Sequence, residues 1–245
     1  MQTTIVLPTY NEAENLPEIT GALFALPIPD LHCIIIDDNS PDGTGKIAEN
    51  LAEKFAGRIK VVHRPGKQGI GSAYITGFRM ALQAGSDVIG QMDSDFSHPV
   101  EKLTSLLEAL QDCDIAIGSR YIAGGSLDEH WPLWRKGLSS FGNTYARMIL
   151  RLPMRDITGG FRLYRRQSLQ AMPLERVRSN GYIFQVEIIY IAYLLGLRCH
   201  EVPIYFAERK KGKSKMSLRI QIEAAWRVWQ LLGMYHDLKG SHAIQ

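Results

Sequence analysis

Two carboxylates that could bind a metal ion lie at Asp93 and Asp95, within the segment "VIGQMDSDFSHPVEK" (residues 88–102). They follow an apolar run, and in an extended segment their side chains would turn to the same face. A hard divalent ion that keeps several waters and contacts substrate phosphates needs only one or two carboxylates. Asp-x-Asp pairs are also common without a metal, and Asp95 or Ser97 could instead cap a helix that begins near Pro99. Both interpretations stay open on this segment alone.

A second acidic pair, Asp37 and Asp38, follows the apolar run "HCIII". If both pairs end strands of one sheet, their carboxylates repel one another unless a cation or a ligand rich in donors joins them. The alternative is an ordinary turn, because Asp is common wherever a strand ends.

A strongly basic segment covers residues 209–215, in which five of the seven side chains are cationic. No aromatic residue is interleaved, so base stacking has no support, and binding of a phosphate group is the better interpretation. Arg120 and Arg135 lie where they could add to such a patch. A solvated loop or a nucleic-acid patch are the alternatives.

Two segments resemble phosphate-binding loops and fail their requirements. In "DGTGKIAEN", Ser40 stands where a Walker A loop needs its first glycine, and Ile47 replaces the Ser or Thr that follows the lysine. In "GIGSAY", Tyr74 stands where a dinucleotide-binding fingerprint needs glycine. Kinase-like and dehydrogenase-like mechanisms therefore lose their main support.

The first half of the chain alternates strand and helix patterns. The predicted strands are "TTIVLPTY", "HCIIIDDNS", "RIKVVHR", "SDVIGQM" and "DIAIGS", with helically spaced apolar residues between them. Short apolar strands separated by helices predict an α/β fold with a mostly parallel central sheet flanked by helices on both faces. The polar ends "PTYNE", "DDNSPDG", "MDSD" and "GSRY" should then meet at one cleft, beyond the carboxyl ends of the strands.

The second half predicts helices at 137–150, 184–195 and 218–235, a short segment "DITGGFRLYRR" and a strand "RCHEVPIYF". No linker or repeat interrupts the chain, so we expect a single catalytic domain over residues 1–217 and an amphipathic helix with a tail over 218–245. One face of that helix carries Leu218, Ile222, Ala225, Trp229 and Leu232, and Trp226, Val228 and Tyr235 widen it. Packing against the core and contact with a membrane surface explain this face equally well.

The composition of the 245 residues is that of a globular protein, with 45% hydrophobic residues and a net charge of +3. This charge is too small to indicate a nucleic-acid binder by itself. The three cysteines, Cys33, Cys113 and Cys199, form no C-x-x-C pair, which favours reduced thiols over disulfides or zinc. The longest charge-free apolar run has only ten residues (188–197), whereas a membrane span needs about 20. We expect no signal peptide and no transmembrane segment.

Eight motifs occur in the order seen in family 2 glycosyltransferases. They are "VLPTYNEAENLP", "IIIDDNSPDGT", "GKQGIGSAYITGF", "MDSDFSHP", "GSRYIAGG", "DITGGFRLYRR", "GYIFQVEI" and "EVPIYFAERKKGKSKM". Within that family the chain resembles the dolichol-phosphate, or polyprenol-phosphate, mannose synthases over about residues 3–235. The resemblance implies a GT-A fold that transfers mannose, with inversion, from GDP-mannose to the phosphate of a dolichol or polyprenyl phosphate, with Mg²⁺ or Mn²⁺. It also implies a cytoplasmic, peripheral protein that meets a membrane surface or membrane partner subunits.

The resemblance assigns roles to individual residues. The nucleoside would be held by Pro8, Tyr10, Glu12, Asp37 and Asp38, with Lys67 nearby. Asp93 and Asp95 would bind the donor and its metal, and Ser97 stands where some relatives carry a glutamine ligand. Arg120 and Arg135 match arginines near the reacting phosphates and, with Asp95, are the expected catalytic residues. Arg209 and Lys215 match basic donor-binding residues of the loop that closes over the donor.

A phosphate acceptor removes the need for a general base. The second pKa of a phosphate monoester is about 6, so it is largely dianionic at neutral pH and already nucleophilic. Two other functions remain as alternatives. One is an enzyme of the same fold that uses UDP-glucose or another donor, or a saccharide hydroxyl as acceptor. The other is a non-enzymatic binder of anionic lipid or nucleic acid, although carboxylates at three strand ends disfavour it, and we expect no nucleic-acid partner.

Overall fold

The computed structural model describes residues 1–208 and 218–240, and it describes side chains for all of these except 218–224 and 239–240. The strands are β1 (Thr3–Thr9), β2 (Leu31–Asp37), β3 (Ile59–His63), β4 (Val88–Gln91), β5 (Ile115–Ser119), β6 (Ser126–Leu127), β7 (Arg162–Arg165), β8 (Cys199–Pro203) and β9 (Tyr205–Phe206). The helices are α1 (Leu16–Phe24), α2 (Thr44–Lys54), α3 (Ile70–Gln83), α4 (Lys102–Ala109), α5 (Leu133–Leu150), α6 (Arg166–Ala171), α7 (Gly181–Leu194) and α8 (Leu218–Met234), followed by a 3-10 helix at His236–Gly240.

Seven strands form the central sheet in the order β3-β2-β1-β4-β7-β5-β8. All neighbours are parallel except β7, which is antiparallel to both β4 and β5. Strands β6 and β9 form a separate parallel pair beside the sheet. The prediction of a mostly parallel α/β sheet is confirmed.

Two hydrophobic cores lie on opposite faces of this sheet, because successive strand residues point to opposite sides. In β1, Val6 packs into one core with residues of α3, α5, α7 and α8. Its neighbours Ile5 and Leu7 pack into the other core with residues of α1, α2 and α4. The predicted covering of both faces by helices is therefore confirmed.

Strand β7 has no counterpart among the predicted strands, since "DITGGFRLYRR" indicated only a short segment. A four-residue strand carries too little pattern to be separated from a loop. Arg162 pairs with Gln91, the last residue of β4. Because β7 runs antiparallel, the residues that precede it, 156–161, reach the edge at which β1 and β4 end.

The structure buries one part of the predicted apolar face of α8 and exposes another. Val228, Leu231 and Tyr235 are buried, whereas Trp229 is 53% exposed and Trp226 is 66% exposed. The helix lies against α5 and α7, and its contact residues follow a three- and four-residue spacing that places both tryptophans outside. The side chains of Leu218 and Ile222 lie outside the described residues. No helix in the described part of the chain is both long enough and apolar enough to cross a membrane.

Helix α3 sits unusually close to β1 at Gly77. A Cβ atom on Gly77 would come within 2.9 Å of Cγ2 of Val6 and 3.1 Å of its Cβ. Val6 is a buried β-branched residue whose χ1 angle is stiff, so it cannot turn away. The glycine therefore sets the distance between the helix and the sheet.

We expect Gly77→Ala to destabilise the protein by about 1–3 kcal/mol, the range for overpacking a core. The matched control is Gly21→Ala in α1, where a Cβ would meet no atom within 4 Å. There the helix propensity of alanine should raise stability by up to about 1 kcal/mol. Urea unfolding followed by circular dichroism measures both changes, and equal effects of the two substitutions would contradict this role of Gly77.

Candidate active site

The turn that follows β4 holds both carboxylates of "MDSD" at the end of β1. The hydroxyl of Ser94 donates to the carbonyl of Pro8 at 3.2 Å, which ties the turn to β1. Phe96 adopts a left-handed backbone (φ 62°), and the amide of Ser97 donates to Oδ1 of Asp95 at 3.0 Å. Helix α4 begins only at Lys102 and has no side-chain cap, so the helix-capping alternative for Asp95 and Ser97 is wrong.

Asp93 is held on two sides. The hydroxyl of Tyr74 donates to Oδ1 of Asp93 at 2.9 Å. The amide of Asp93 donates to Nδ1 of His98 at 3.1 Å, and the His98 ring stacks on Phe161 with centroids 5.2 Å apart. Burial lowers the pKa of His98 although Asp93 and Asp95 oppose this, so the ring is neutral. With Nδ1 accepting a hydrogen bond, the proton lies on Nε2.

The chemistry of this turn fits a divalent ion. Two carboxylates lie two residues apart, and the hydroxyl of Ser97 is buried without a hydrogen-bond partner among the described residues, as is Nε2 of His98. Such atoms commonly mark a bound water, ion or ligand. Across residues 1–208 and 218–240, no three His, Cys, Asp or Glu side chains converge as a complete metal site. An ion at Asp93 and Asp95 would therefore take further ligands from water or a bound phosphate, as Mg²⁺ commonly does.

Asp37 and Asp38, at the end of β2, are both engaged within the protein. Asp37 accepts hydrogen bonds from the hydroxyl of Thr9 at 3.2 Å and from the amide of Ser40 at 3.2 Å. Asp38 forms a buried ion pair with Arg64. Arg64 also reaches the start of α3, donating to the carbonyl of Gly69 at 3.1 Å and to the hydroxyl of Ser72 at 2.6 Å. These bonds fix the wall of the cleft on the side where the nucleoside is expected.

The other predicted nucleoside contacts lie at the end of β1. The ammonium group of Lys67 lies over the ring of Tyr10, 4.4 Å from its centroid. Glu12 accepts a hydrogen bond from Asn15 at 2.7 Å, and its amide donates to Thr44 at 2.9 Å. The structure thus brings Tyr10 and Lys67 together and places Glu12 at the start of α1.

Arg120 is buried and paired with Asp156, which the sequence did not single out. Nε and Nη2 of Arg120 each donate to a different carboxylate oxygen of Asp156 at 2.7 Å, and Nη2 also donates to Thr158 at 2.7 Å. Burial alone would raise the pKa of Asp156, but the charge and hydrogen bonds of Arg120 hold it below its usual value. Burial would likewise lower the pKa of Arg120, and Asp156 more than offsets this. The pair therefore stays charged.

The ring of Phe206 links the arginine side of the cleft to the carboxylate side. The Arg120 guanidinium lies 5.2 Å from its centroid, and the rings of His98 and Trp131 meet it edge-on at 5.5 and 5.8 Å. Arg135 in turn stacks on Trp131, 3.6 Å from the ring centroid. One aromatic side chain thus joins both predicted catalytic arginines to the histidine that supports Asp93.

The chain leaves β9 beside the Asp-x-Asp turn. The amide of Ala207 donates to the carbonyl of Ser97 at 3.2 Å, and the amide of Glu208 donates to Asp128 at 2.8 Å. Hydrogen bonds from Glu208 and His130 hold the pKa of Asp128 well below its usual range. Glu208 also forms an ion pair with Arg135 at 3.1 Å. The basic segment comes next in the chain, and its predicted donor contacts, Arg209 and Lys215, lie outside the described residues.

Several side chains that build this cleft were not predicted as site residues. They include Arg64, Tyr74, His98, Asp128, Trp131, Asp156 and Phe206. All of these except Asp128 contact a predicted residue, and Tyr74, His98, Asp156 and Phe206 lie within segments whose motifs had been noticed for other reasons. Charge complementarity could have suggested a basic partner for Asp38 and an acidic one for Arg120, but nothing local identifies which.

Comparison with known proteins gives concordant results. The family model "Glycosyl transferase family 2" matches residues 4–172. The polyprenol monophosphomannose synthase of Mycolicibacterium smegmatis is 43% identical over 242 residues, 98% of this chain and 91% of that protein. The undecaprenyl-phosphate mannosyltransferase of Micrococcus luteus is 43% identical over 241 residues, 98% of both chains. The dolichol-phosphate mannosyltransferase of Pyrococcus furiosus is 33% identical over 95% of this chain and 64% of that protein.

Solved structures share the fold at low sequence identity. A glucosyl-3-phosphoglycerate synthase from Mycobacterium tuberculosis, solved with Mn²⁺, UDP and glucosyl-3-phosphoglycerate, superimposes with a TM-score of 0.66. The alignment covers 95% of this chain and 79% of that one at 15% identity. This likeness confirms the GT-A fold and carries no information about substrate.

The Arg120–Asp156 pair predicts a pH-dependent loss of stability. Asp156→Asn removes one charge of a buried pair and should destabilise the protein by about 3 kcal/mol at pH 7. Because the pKa of Asp156 is lowered by folding, its stabilising effect is complete above the ordinary value of 3.8 and declines as the pH falls below it. The difference between wild type and variant should therefore shrink toward pH 3 in urea unfolding.

Glu49→Gln is the control, since Glu49 pairs with His63 and both side chains are about half exposed. Its effect should stay below about 1 kcal/mol at every pH. An Asp156→Asn effect that is equally small, or that persists unchanged at pH 3, would contradict the charged buried pair.

Proposed function

The chain belongs to glycosyl transferase family 2, and we propose that it transfers mannose from GDP-mannose to the phosphate of a polyprenyl phosphate. The observation that carries this proposal is the cleft itself, in which a carboxylate turn faces a buried, permanently charged arginine across Phe206, and in which the Ser97 hydroxyl has no partner within the described part of the chain. The names of two relatives at 43% identity support mannose as the sugar and a polyprenyl phosphate as the acceptor. GDP as the leaving group rests on the resemblance of the motifs to dolichol-phosphate mannose synthases.

Asp93, Asp95 and Ser97 are the residues that would hold Mg²⁺ or Mn²⁺. When bound, such an ion offsets the negative charge on the diphosphate leaving group. The solved neighbour with Mn²⁺ and UDP supports a divalent ion in this fold. The protein's own contribution is to hold the turn that carries the two carboxylates, through the Ser94 hydroxyl at the Pro8 carbonyl and through the Ser97 amide at Asp95.

The acceptor phosphate needs positive charge rather than a base. It is largely dianionic at neutral pH, and its approach to an anionic donor is opposed by repulsion. Arg120 cannot lose its charge, since Asp156 raises its pKa above an already high value. Arg135 is oriented by Trp131 and neutralised by the half-exposed Glu208, which a doubly charged phosphate can displace. These two arginines would therefore hold the acceptor, and no step requires a catalytic base.

A membrane surface is the proposed source of the acceptor, and α5 and α8 offer a face for it. The exposed large apolar residues of these helices, here called the α5–α8 face, are Leu133, Trp134, Phe141, Met148, Trp226 and Trp229. Trp134, Phe141 and Met148 are seven residues apart and share one side of α5. The indole of Trp229 donates to the hydroxyl of Tyr145 at 3.0 Å, which makes the two helices one surface.

The chemistry of this face suits a lipid bilayer with anionic head groups. Contiguous exposed aromatic and aliphatic side chains are unusual on a protein that meets only water. The exposed cation Arg227 lies on α8 and the exposed Arg151 directly follows α5, and basic residues beside tryptophans are typical of helices that lie in the membrane interface. The sequence had suggested only α8 for this role, so α5 is an addition from the structure.

The proposed reaction is tested with radiolabelled GDP-mannose and UDP-glucose, each offered with a polyprenyl phosphate and Mg²⁺ or Mn²⁺. We expect label in the lipid fraction only from GDP-mannose. Transfer only from UDP-glucose would show that the proposed donor is wrong. Transfer to a free saccharide hydroxyl would show that the proposed acceptor is wrong.

The same assay tests the metal residues. Asp95→Ala should lower the rate by roughly 10²–10³, the usual loss when one preorganised electrostatic contact is removed, and EDTA should abolish transfer reversibly. The control is Asp112→Ala, an exposed carboxylate at the end of α4, which should leave the rate unchanged. Normal transfer by Asp95→Ala, or in excess EDTA, would contradict the metal assignment.

Membrane binding is tested by sedimentation with vesicles that contain phosphatidylglycerol. Replacing Trp134 and Trp226 together by serine removes two exposed aromatic anchors, and we expect vesicle affinity to fall roughly tenfold or more. Transfer to a short-chain, water-soluble acceptor should be unaffected. The control is Tyr193→Ser, which removes an exposed aromatic side chain on α7. Equal losses in the two variants would argue against a specific α5–α8 face.

A further inference from the structure

Tyr74 stands out among the buried residues because its hydroxyl reaches one of the candidate metal ligands. It lies on the first turns of α3, is fully buried, and donates to Oδ1 of Asp93 across 19 residues of sequence. In the sequence it was notable only for breaking a dinucleotide-binding fingerprint. The mechanism proposed above does not require a tyrosine at this place.

The position of the Tyr74 hydroxyl is rigid. The ring is stacked between Phe184, with centroids 5.7 Å apart and planes 7° from parallel, and Phe78 at 5.9 Å. Helix α3 itself cannot shift easily, because Gly77 brings it against Val6 of β1. The hydroxyl therefore cannot follow a moving carboxylate, and Asp93 must turn toward it.

As a consequence, the two carboxylate oxygens of Asp93 have different roles. Oδ1 accepts the hydrogen bond from Tyr74, and the backbone amide is held by Nδ1 of His98. With the main chain and one oxygen both restrained, Oδ2 is left as the oxygen of Asp93 that could bind an ion. A carboxylate held in this way binds an ion through one oxygen in a defined direction, instead of rotating between binding modes.

We propose that Tyr74 is a positioning residue for the divalent ion, which orients Asp93 by a hydrogen bond from outside the ligand shell. This inference rests on the proposed function, since it takes Asp93 as a ligand of the ion. Residues that hydrogen-bond to metal ligands typically change metal affinity by 10–100-fold when they are removed. The competing explanation is that Tyr74 only fills the core and satisfies its own hydroxyl.

The chain offers a matched control at Tyr235. This tyrosine is also fully buried, and its hydroxyl donates to the buried carboxylate of Glu187 at 2.6 Å. Glu187 also accepts from the amides of Ser179 at 2.8 Å and Arg178 at 3.4 Å, both of which lie outside the Asp-x-Asp turn. Tyr235→Phe therefore removes the same kind of bond without touching the candidate ligands.

The test is a titration of Mn²⁺ into the whole protein, with GDP and with UDP in parallel, followed by electron paramagnetic resonance of free Mn²⁺. We expect Tyr74→Phe to weaken nucleotide-dependent Mn²⁺ binding 10–100-fold and Tyr235→Phe to leave it within twofold. In the transfer assay the Mn²⁺ concentration for half-maximal rate should rise in Tyr74→Phe, with most of kcat recovered at saturating Mn²⁺.

The outcomes separate this inference from the proposed function. If wild type binds Mn²⁺ with a nucleotide and Tyr74→Phe binds it equally well, the positioning role is wrong and the metal site stands. If both tyrosine variants lose Mn²⁺ binding to the same extent, the effect is a general loss of stability and the inference also fails. If wild type itself binds no Mn²⁺ with either nucleotide, the metal assignment falls and this inference falls with it.

Discussion

The repulsion between carboxylates gathered at one end of the sheet is the constraint around which the cleft is built. Parallel strands deliver Asp37, Asp38, Asp93 and Asp95 to the same edge, where their charges oppose folding. Different groups compensate these charges at different parts of the edge. Arg64 pairs with Asp38, and Tyr74 and His98 form hydrogen bonds with Asp93. Backbone amides donate to Asp37 and Asp95. Among the described residues at this edge, the Asp-x-Asp turn combines its carboxylates with a buried hydroxyl, that of Ser97, that has no hydrogen-bond partner, so an added cation would relieve the most repulsion there.

The antiparallel strand β7 supplies the opposite charge to this edge. Its reversed direction carries Asp156 and Thr158 to the end of β5, where they fix Arg120. A parallel strand at this place would have delivered its own carboxyl end to the edge, and the segment 156–161 would have pointed away. One reversal in an otherwise parallel sheet therefore places a permanent positive charge beside an acidic turn. The proposed reaction needs both negative and positive side chains in the cleft, because both of its proposed substrates carry phosphate.

The sequence predicted correctly those features that one strand, helix or turn reveals by its own local pattern. The apolar strands, the helices between them and the polar strand ends each form a local pattern, which is why the sheet, its layering and the convergence of Asp37 and Asp93 could be predicted. It failed where the role of a residue depends on a partner that is distant in the sequence. Asp156 becomes significant only beside Arg120, and Tyr74 only beside Asp93. The sequence could not divide the apolar face of α8 into buried and exposed residues for the same reason, since burial of Val228 and exposure of Trp229 depend on where α5 and α7 lie.

Arg135 lies where the cleft meets the α5–α8 face, the surface proposed to bind a membrane. It lies in the first turn of α5, directly after Leu133 and Trp134, which are 84% and 70% exposed. A lipid phosphate is covalently attached to a chain that stays in the bilayer, so it cannot travel far above the head groups to meet a catalytic residue. An enzyme for such an acceptor needs its phosphate-binding cation at the membrane surface itself. If the α5–α8 face rests on the membrane, Arg135 meets this requirement, and Trp131 and Phe206 continue from it to Arg120. The exposed helix and the buried cleft are then the two ends of one path for the acceptor. Such a path explains why Leu133 and Trp134, which are strongly exposed, lie directly before Arg135, a predicted catalytic residue.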